Sequence, residues 1–126
     1  MSNDGLAELL RLGGEERYDF FLSHVAEERE IWILVNADNR FLRISADEGV
    51  DYVPVWPASE FAVNYASGTD DLVPLNLSLP DFFRKWVPGL TKDGLEVGVF
   101  PGLDKTLWIT EPEELKRDLQ DAMSDF

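Results

Sequence analysis

The sequence contains no cysteine, a single histidine and no glycine-rich loop, and each absence removes a class of function. Without cysteine the chain has no disulfides, thiolate metal ligands or catalytic thiol. His24 would have to act alone in any serine triad or histidine metal site, and it lies at the border of an apolar helical stripe. We therefore predict a partly exposed structural histidine. No Walker or Gly-x-Gly-x-x-Gly sequence occurs, so we expect no nucleotide cofactor.

Basic residues are scarce as well. Eleven lysines and arginines face 25 acidic residues, which gives a net charge of −14. Such a field repels nucleic-acid phosphates and anionic membrane surfaces, so we expect neither as a partner. The acidic excess is concentrated towards both ends of the chain, while the middle is nearly neutral. Acidic outer helices that keep the domain soluble explain this pattern. The alternative is an acidic protein that mimics nucleic acid or covers a basic partner.

Long apolar runs are missing too. No segment approaches the roughly 18 uncharged residues of a membrane helix. The leucine-rich stretch of residues 6–12 is interrupted by Glu8 and Arg11 and follows no basic region, so no signal peptide is expected. We predict a cytoplasmic protein. With 126 residues and 44% hydrophobic content, residues 1–126 should form a single domain, in which the helix within residues 1–14 is peripheral.

Hydrophobic spacing predicts five helices and about five strands in the order α-α-β-β-β-α-α-β-β-α. This order favours an α+β fold with one mixed, mainly antiparallel sheet covered by the helices. The first predicted helix ends at Gly13-Gly14, and the second begins near Glu15. The third covers residues 60–66, the fourth runs from Ser78 to Pro88-Gly89, and the fifth covers 111–123. The predicted strands cover 31–35, 41–44, 52–55, 95–100 and 106–109, with an extended stretch at 73–77.

Local signals support three of these boundaries. Asp38-Asn39 favours a hairpin between the first two strands, because both residues tolerate a left-handed turn conformation. Ser78 is a suitable cap for the fourth helix. Thr110 and Glu113 have the spacing of a capping box at the last helix.

A near-repeat is the most distinctive motif. Residues 53–57 (VPVWP) and 97–101 (VGVFP) are each an apolar strand that stops at an aromatic residue followed by proline. Tryptophan is a frequent anchor at protein interfaces, but burial in the core is the more common explanation for such a residue. One hypothesis is a recognition surface formed by Trp56, Pro57, Glu60, Phe100 and Pro101. The other is that these side chains only pack.

These segments, together with residues 18–21, 30–34, 60–62 and 79–90, resemble the bacterial domain-of-unknown-function family 2750. The resemblance covers most of the chain from residue 15 onward. It implies a bacterial source and an α+β fold, and it brings no known activity, substrate or catalytic residue. A weaker similarity to SseB-type domains concerns architecture alone. It implies that the two strand ends are neighbours at one edge of the sheet, with a shallow cleft between them.

Carboxylate clusters do not form a recognisable metal site. None has the alternating oxygen ligands and central glycine of a calcium loop, and acidic residues in loops and at helix starts need no ligand. We therefore predict no metal site and no cofactor. The clusters in question are Asp47-Glu48 with Asp51, Asp70-Asp71, and Glu111 with Glu113-Glu114.

Two functional hypotheses remain. The first is a non-enzymatic protein-interaction or regulatory domain, with an immunity-like protein that neutralises a basic toxin as one form. The second is a small-molecule-binding protein or enzyme whose groups, for example Glu60, Tyr65, Asp104 and Lys105, converge beside the strand ends. The absence of catalytic groups favours the first hypothesis over an enzyme. The protein is expected to be a monomer or, through an exposed strand edge, a homodimer.

Overall fold

The computed structural model describes residues 13–38, 40–45, 50–66, 71–101 and 108–124. They form an α+β fold, as predicted. The helices are α1 (Gly14–Glu28), α2 (Ser59–Tyr65), α3 (Leu79–Asp81), α4 (Val87–Lys92) and α5 (Pro112–Met123), with a π-helical turn at Phe82–Trp86. The strands are β1 (Glu30–Val35), β2 (Ile44–Ser45), β3 (Asp51–Val55), β4 (Val73–Ser78), β5 (Glu96–Val99) and β6 (Trp108–Thr110). The helix predicted before Gly13 and the turn predicted at 101–104 lie largely outside the described residues.

Helix α1 begins within one residue of its predicted start. It buries most of the apolar stripe that spacing predicts at Tyr18, Phe21, Leu22 and Val25, and Leu22 is only half-buried. Tyr18, Phe21 and Val25 are all in the core, because their spacing places them on one face. The helix ends at Arg29, which has the left-handed φ of 62° that glycine usually supplies at this position. The Arg29 N–H donates to the carbonyl of Val25 at 2.8 Å, and the chain turns directly into β1.

Two ladders of strands are joined edge to edge. One pairs β1 with β4 in antiparallel orientation, and the other has the order β2-β3-β5-β6, in which only β3 and β5 are parallel. Trp32 of β1 and Trp56, directly after β3, exchange backbone hydrogen bonds of 3.0 and 2.9 Å and so connect the ladders. The mixed, mainly antiparallel pairing is as predicted, but the strands form two sheets, of two and four strands, instead of the single sheet expected. The edge-to-edge bridge at Trp32 and Trp56 is what joins these two sheets.

The hairpin after β1 closes through a different residue from the one predicted. Val35 pairs with Phe41 in an antiparallel bridge. The side-chain Oδ1 of Asn36 accepts hydrogen bonds from the backbone N–H groups of Asp38 at 2.9 Å and Arg40 at 3.0 Å. Asn36 therefore organises the turn from its first position, as asparagine commonly does. Of the predicted Asp38-Asn39 pair, Asn39 lies outside the described residues.

The two halves of the near-repeat lie side by side in register. Strands β3 and β5 align Val53 with Val97, Pro54 with Gly98 and Val55 with Val99. The backbone nitrogen of Pro54 points to the same edge of β3 as the N–H of Trp56, because alternate residues of a strand direct these groups to the same side. That edge meets β2 at Tyr52 and β1 at Trp56, so proline occupies the interval between two partner strands, where no N–H is needed.

The segment from Leu79 to Lys92 is helical throughout, which contradicts the predicted end at Pro88-Gly89. Ser78 caps it as predicted, since its Oγ accepts from the N–H of Asp81 at 3.3 Å. The π-helical turn Phe82–Trp86 explains why Pro88 does not end the helix. Val87 donates to the carbonyl of Phe82, five residues back, so the ladder is already shifted where proline lacks its N–H.

Helix α5 is capped differently from the prediction. Glu111 is the residue before the first turn, and no side chain caps the helix there. Thr110, the predicted cap, instead donates its hydroxyl to the Oε2 of Glu114 at 3.2 Å. The capping box of Thr110 and Glu113 is therefore wrong. Proline in the first turn starts the helix instead, because its N–H would be unpaired there anyway.

A buried arginine ties α1 to the sheet. Arg17 is 1% exposed, and its Nε donates to the backbone carbonyl of Phe100 at 3.0 Å. It shares the helical face of Phe21 and Val25, both of which are fully buried. A buried carbonyl that loses its donor destabilises the folded state, because it has given up its hydrogen bonds to water and has no partner in the protein. Arg17 therefore positions α1 over the end of β5.

We expect Arg17→Met to lower the free energy of unfolding by at least about 2 kcal/mol, because the Phe100 carbonyl loses a charged donor. Arg117→Met is the matched control, since Arg117 is exposed on α5 and methionine has a similar helix propensity. Urea unfolding monitored by circular dichroism measures both. Equal stability of the two variants would contradict this role of Arg17.

Candidate functional site

The predicted recognition surface at the strand ends lies mainly in the interior. Trp56 is 1% exposed and Phe100 is 0% exposed. Pro57 and Pro101 are also buried, while Glu60 is exposed at the start of α2. The structure therefore brings the two aromatic-proline pairs together, side by side, but turns them inward. We call Trp56, Pro57, Phe100 and Pro101 the strand-end seam.

Aromatic rings cover the seam on both sides. Phe100 packs against Phe61 of α2, with ring centroids 4.7 Å apart, and against Phe20 of α1 at 6.0 Å. The ring of Trp56 packs against that of Tyr65 at 5.1 Å. Phe100 also has a left-handed φ of 50°, which is rare for an aromatic residue. Its N–H donates to the carbonyl of Val55 at 2.8 Å, so both strand ends are fixed by the backbone as well as by the rings.

Trp56→Ala is expected to lower the free energy of unfolding by about 3 to 5 kcal/mol, because it opens a cavity beneath α2. Trp108→Ala is the control, since Trp108 is 39% exposed and stacks with one face on Tyr18, and it should cost about 1 kcal/mol. Chemical denaturation measures both values. A Trp56→Ala protein as stable as the wild type would show that the ring is not part of the core.

The residues of the alternative small-molecule site are only partly placed. Glu60 and Tyr65 are both exposed on α2, while Asp104 and Lys105 lie outside the described residues. His24 is half-buried and stacks on Phe20, with ring centroids 5.5 Å apart. This agrees with the structural role predicted for the histidine. In the parts of the chain that the structure describes, no three acidic, histidine or cysteine side chains are grouped to hold a metal ion.

Tyr18 is the centre of a polar contact that the sequence did not reveal. Its hydroxyl donates to the Oδ2 of Asp118 on α5 at 2.5 Å, and its ring stacks on Trp108 at 5.0 Å. Burial raises the pKa of Tyr18 far above its usual range, and the hydrogen bond and charge of Asp118 raise that pKa further. Burial also raises the pKa of Tyr65. Tyr18 thus links α1 to α5 as a proton donor.

Alkaline pH should test this contact. The unfolded chain ionises its tyrosines near pH 10.0, whereas folded Tyr18 retains its proton, so the wild type loses stability as the pH rises above that value. Tyr18→Phe should show a shallower decline. At neutral pH the variant should be less stable by about 1 to 3 kcal/mol, because Asp118 loses its donor. Urea unfolding across the pH range measures both effects, and parallel pH curves for the two proteins would refute the assignment.

An acidic groove lies at the opposite end of β5 from Phe100. It has a volume of roughly 380 Å³ and is lined by Val50, Thr91, Gly94, Leu95, Glu96, Glu111, Pro112 and Glu113. Glu96 begins β5, whereas Glu111 and Glu113 flank the start of α5. Two exposed glutamates and one half-buried glutamate thus converge on one concavity. The helix dipole favours acidic groups at the start of α5, but it does not account for Glu96.

Two of the three glutamates in this groove could be recognised from the sequence. Glu111 and Glu113 stand out as an acidic cluster, and the sequence alone explains them as residues at the start of a helix. Glu96 is distant in the chain and joins them only because β5 pairs with β6, which leads directly into α5. A contact of this kind depends on strand pairing and has no local sequence pattern.

These features define a class of protein: a small α+β domain with a buried strand-end seam and an acidic groove. A family model described as "Protein of unknown function (DUF2750)" matches residues 18–119. The chain therefore belongs to the DUF2750 family, which confirms the resemblance drawn from its strand-end motifs. The similarity to SseB-type domains has no such support.

The comparison with curated proteins yields no match. Among solved structures, the chain is similar to Anabaena Tic22 (protein transport), with 14% sequence identity and a TM-score of 0.42. The similarity covers 74% of this chain and 49% of the Tic22 chain, so the chain spans about half the length of that structure. Across the described ranges, no helix combines the length and apolar character needed to cross a membrane.

Proposed function

We propose that this chain is a non-enzymatic, cytoplasmic bacterial protein that binds a basic protein partner through the acidic groove. The convergence of Glu96, Glu111 and Glu113 on one concavity is the observation that carries the proposal. Lysine and arginine side chains of a partner match such a surface in charge. An immunity-like role, in which the partner is a basic toxin, is one form of this function.

The charge of the whole chain supports the groove. A net charge of −14 attracts a basic protein over a distance of about a Debye length, and the groove gives it a defined place to bind. Apolar surface is available beside the charges, since Val50 lines the groove and is 39% exposed. Electrostatic attraction sets the rate of encounter, and burial of such apolar surface contributes to affinity.

The strand-end hypothesis gives a second possible surface for the same function. Glu60 is its exposed member, while Trp56 and Phe100 would have to be uncovered before they could contact a partner directly. The groove needs no such rearrangement. It is therefore the surface on which the proposal mainly rests, and Glu60 provides a separate test of the other.

The first experiment compares wild type with Glu96→Gln/Glu113→Gln in a pull-down from the native bacterium, followed by fluorescence titration with the purified partner. The expected partner is basic, and the double variant should bind it about two- to thirtyfold more weakly. Added salt should weaken wild-type binding and reduce the difference between the two proteins, because it screens the exposed charges.

Glu27→Gln/Glu28→Gln is the control, because it makes the same change of net charge at the exposed end of α1, away from the groove. It should bind nearly as well as the wild type. Equal weakening of both double variants would mean that overall charge, and not the groove, attracts the partner. Loss of binding in Glu60→Gln alone would move the interface to the start of α2.

A further inference from the structure

A second cavity lies where the C-terminal ends of α1 and α5 meet the start of α3. It has a volume of roughly 350 Å³, which is within the range of small-molecule sites. It is lined by Arg29, Leu79, Pro80, Phe83, Arg84 and Met123. Met123 is the last residue of α5, whereas Glu111 and Glu113 lie at its start. A helix of 12 residues is about 18 Å long, so this cavity is separate from the acidic groove.

The walls of the cavity are apolar. Leucine, proline, phenylalanine and methionine side chains form them, and among the described residues that line the cavity only the two arginines have polar side chains. A ligand body that lies against such walls gains by leaving water but finds no hydrogen-bond partners along its length. Walls of this kind favour a hydrocarbon chain over a sugar or a nucleoside, whose polar groups need partners along their length. Methionine adapts its shape readily to such a chain.

The two arginines are unusual in so acidic a chain. Only 11 basic residues are present against 25 acidic ones, yet Arg29 and Arg84 line the same apolar cavity. A guanidinium offers five N–H donors in a planar fork that matches an anionic head group with two oxygens. Asp81 pairs with one nitrogen of Arg84 at 3.3 Å, and the Arg84 side chain is 74% exposed. The other N–H donors of Arg84 are therefore on an exposed side chain, where solvent or a ligand can reach them.

The conformation of Arg29 is an independent observation. Its left-handed φ of 62° strongly favours glycine, yet an arginine occupies the position. Its backbone is fixed from both sides, because its N–H donates to Val25 at 2.8 Å and its carbonyl accepts from Leu79 at 3.0 Å. The backbone thus accepts a conformational cost at a position where an arginine, and not a glycine, lines the cavity. Such a cost is common where a side chain has a function.

We propose that this cavity binds an aliphatic carboxylate, whose head group pairs with Arg29 and Arg84 and whose hydrocarbon chain lies along Leu79, Phe83 and Met123. The arginines provide charge and orientation, and the apolar walls provide burial. This ligand site is independent of the binding of a basic partner, because it lies at the other end of α5 and has the opposite charge preference.

Isothermal titration calorimetry with dodecanoate, below its micelle concentration, tests the proposal on the full chain. We expect one molecule to bind per chain, and Arg29→Gly to weaken binding by at least about tenfold. Glycine relieves the left-handed conformation, so the thermal unfolding midpoint of this variant should equal or exceed that of the wild type. A loss of binding therefore cannot be attributed to unfolding.

Two further comparisons complete the test. Arg84→Gln should also weaken binding, whereas Arg117→Gln, on the exposed face of α5, should not. Dodecyltrimethylammonium, with the same chain and a cationic head group, should bind much more weakly than dodecanoate. No binding of dodecanoate, unchanged binding by Arg29→Gly, or equal binding of the cationic amphiphile would overturn the proposal. Tighter binding of dodecyl phosphate than of dodecanoate would overturn the assignment of a carboxylate head group and indicate a phosphate in its place.

Discussion

The in-register pairing of β3 with β5 is the constraint on which the rest of the structure depends. It places Val55 beside Val99, so that the chain leaves both strands at the same edge and the N–H of Phe100 reaches the carbonyl of Val55. The carbonyl of Phe100 in turn accepts from Arg17, which fixes α1. Both backbone groups of Phe100 are thus satisfied, and these bonds maintain its left-handed conformation against the usual preference.

Sequence patterns predicted the fold where the signal was local. The valine-rich strands, the stripe on α1 and the Ser78 cap all follow from spacing and side-chain type. The burial of Trp56 was not predictable, because an aromatic-proline pair at a strand end has the same sequence whether or not α2 covers it. The shift that lets the helix continue past Pro88 was equally hidden, since it depends on a π-helical turn five residues long. Glu96 and Arg29 acquire their neighbours only through tertiary contacts.

The two ends of α5 lie at surfaces of opposite charge preference, which the net charge of −14 does not show. The start of the helix contributes glutamates to an acidic groove, and its last residue contributes a methionine to a cavity with two arginines. Tyr18 and Asp118 join α1 to the middle of the same helix. One helix therefore separates two surfaces of opposite charge preference, and a partly buried hydrogen bond fixes the middle of that helix to α1. An acidic composition does not mean that every surface is acidic.

The contacts of α1 also have a consequence for folding kinetics. Arg17 and Phe100 are 83 positions apart in the chain, and Tyr18 and Asp118 are 100 positions apart. Contacts between such distant residues require the closure of large loops before any stabilisation is gained. A high mean separation of contacting residues is characteristic of slow folding. Helix α1 is synthesised before both of its polar partners, which lie 83 and 100 positions further along the chain, so we expect it to complete its docking late.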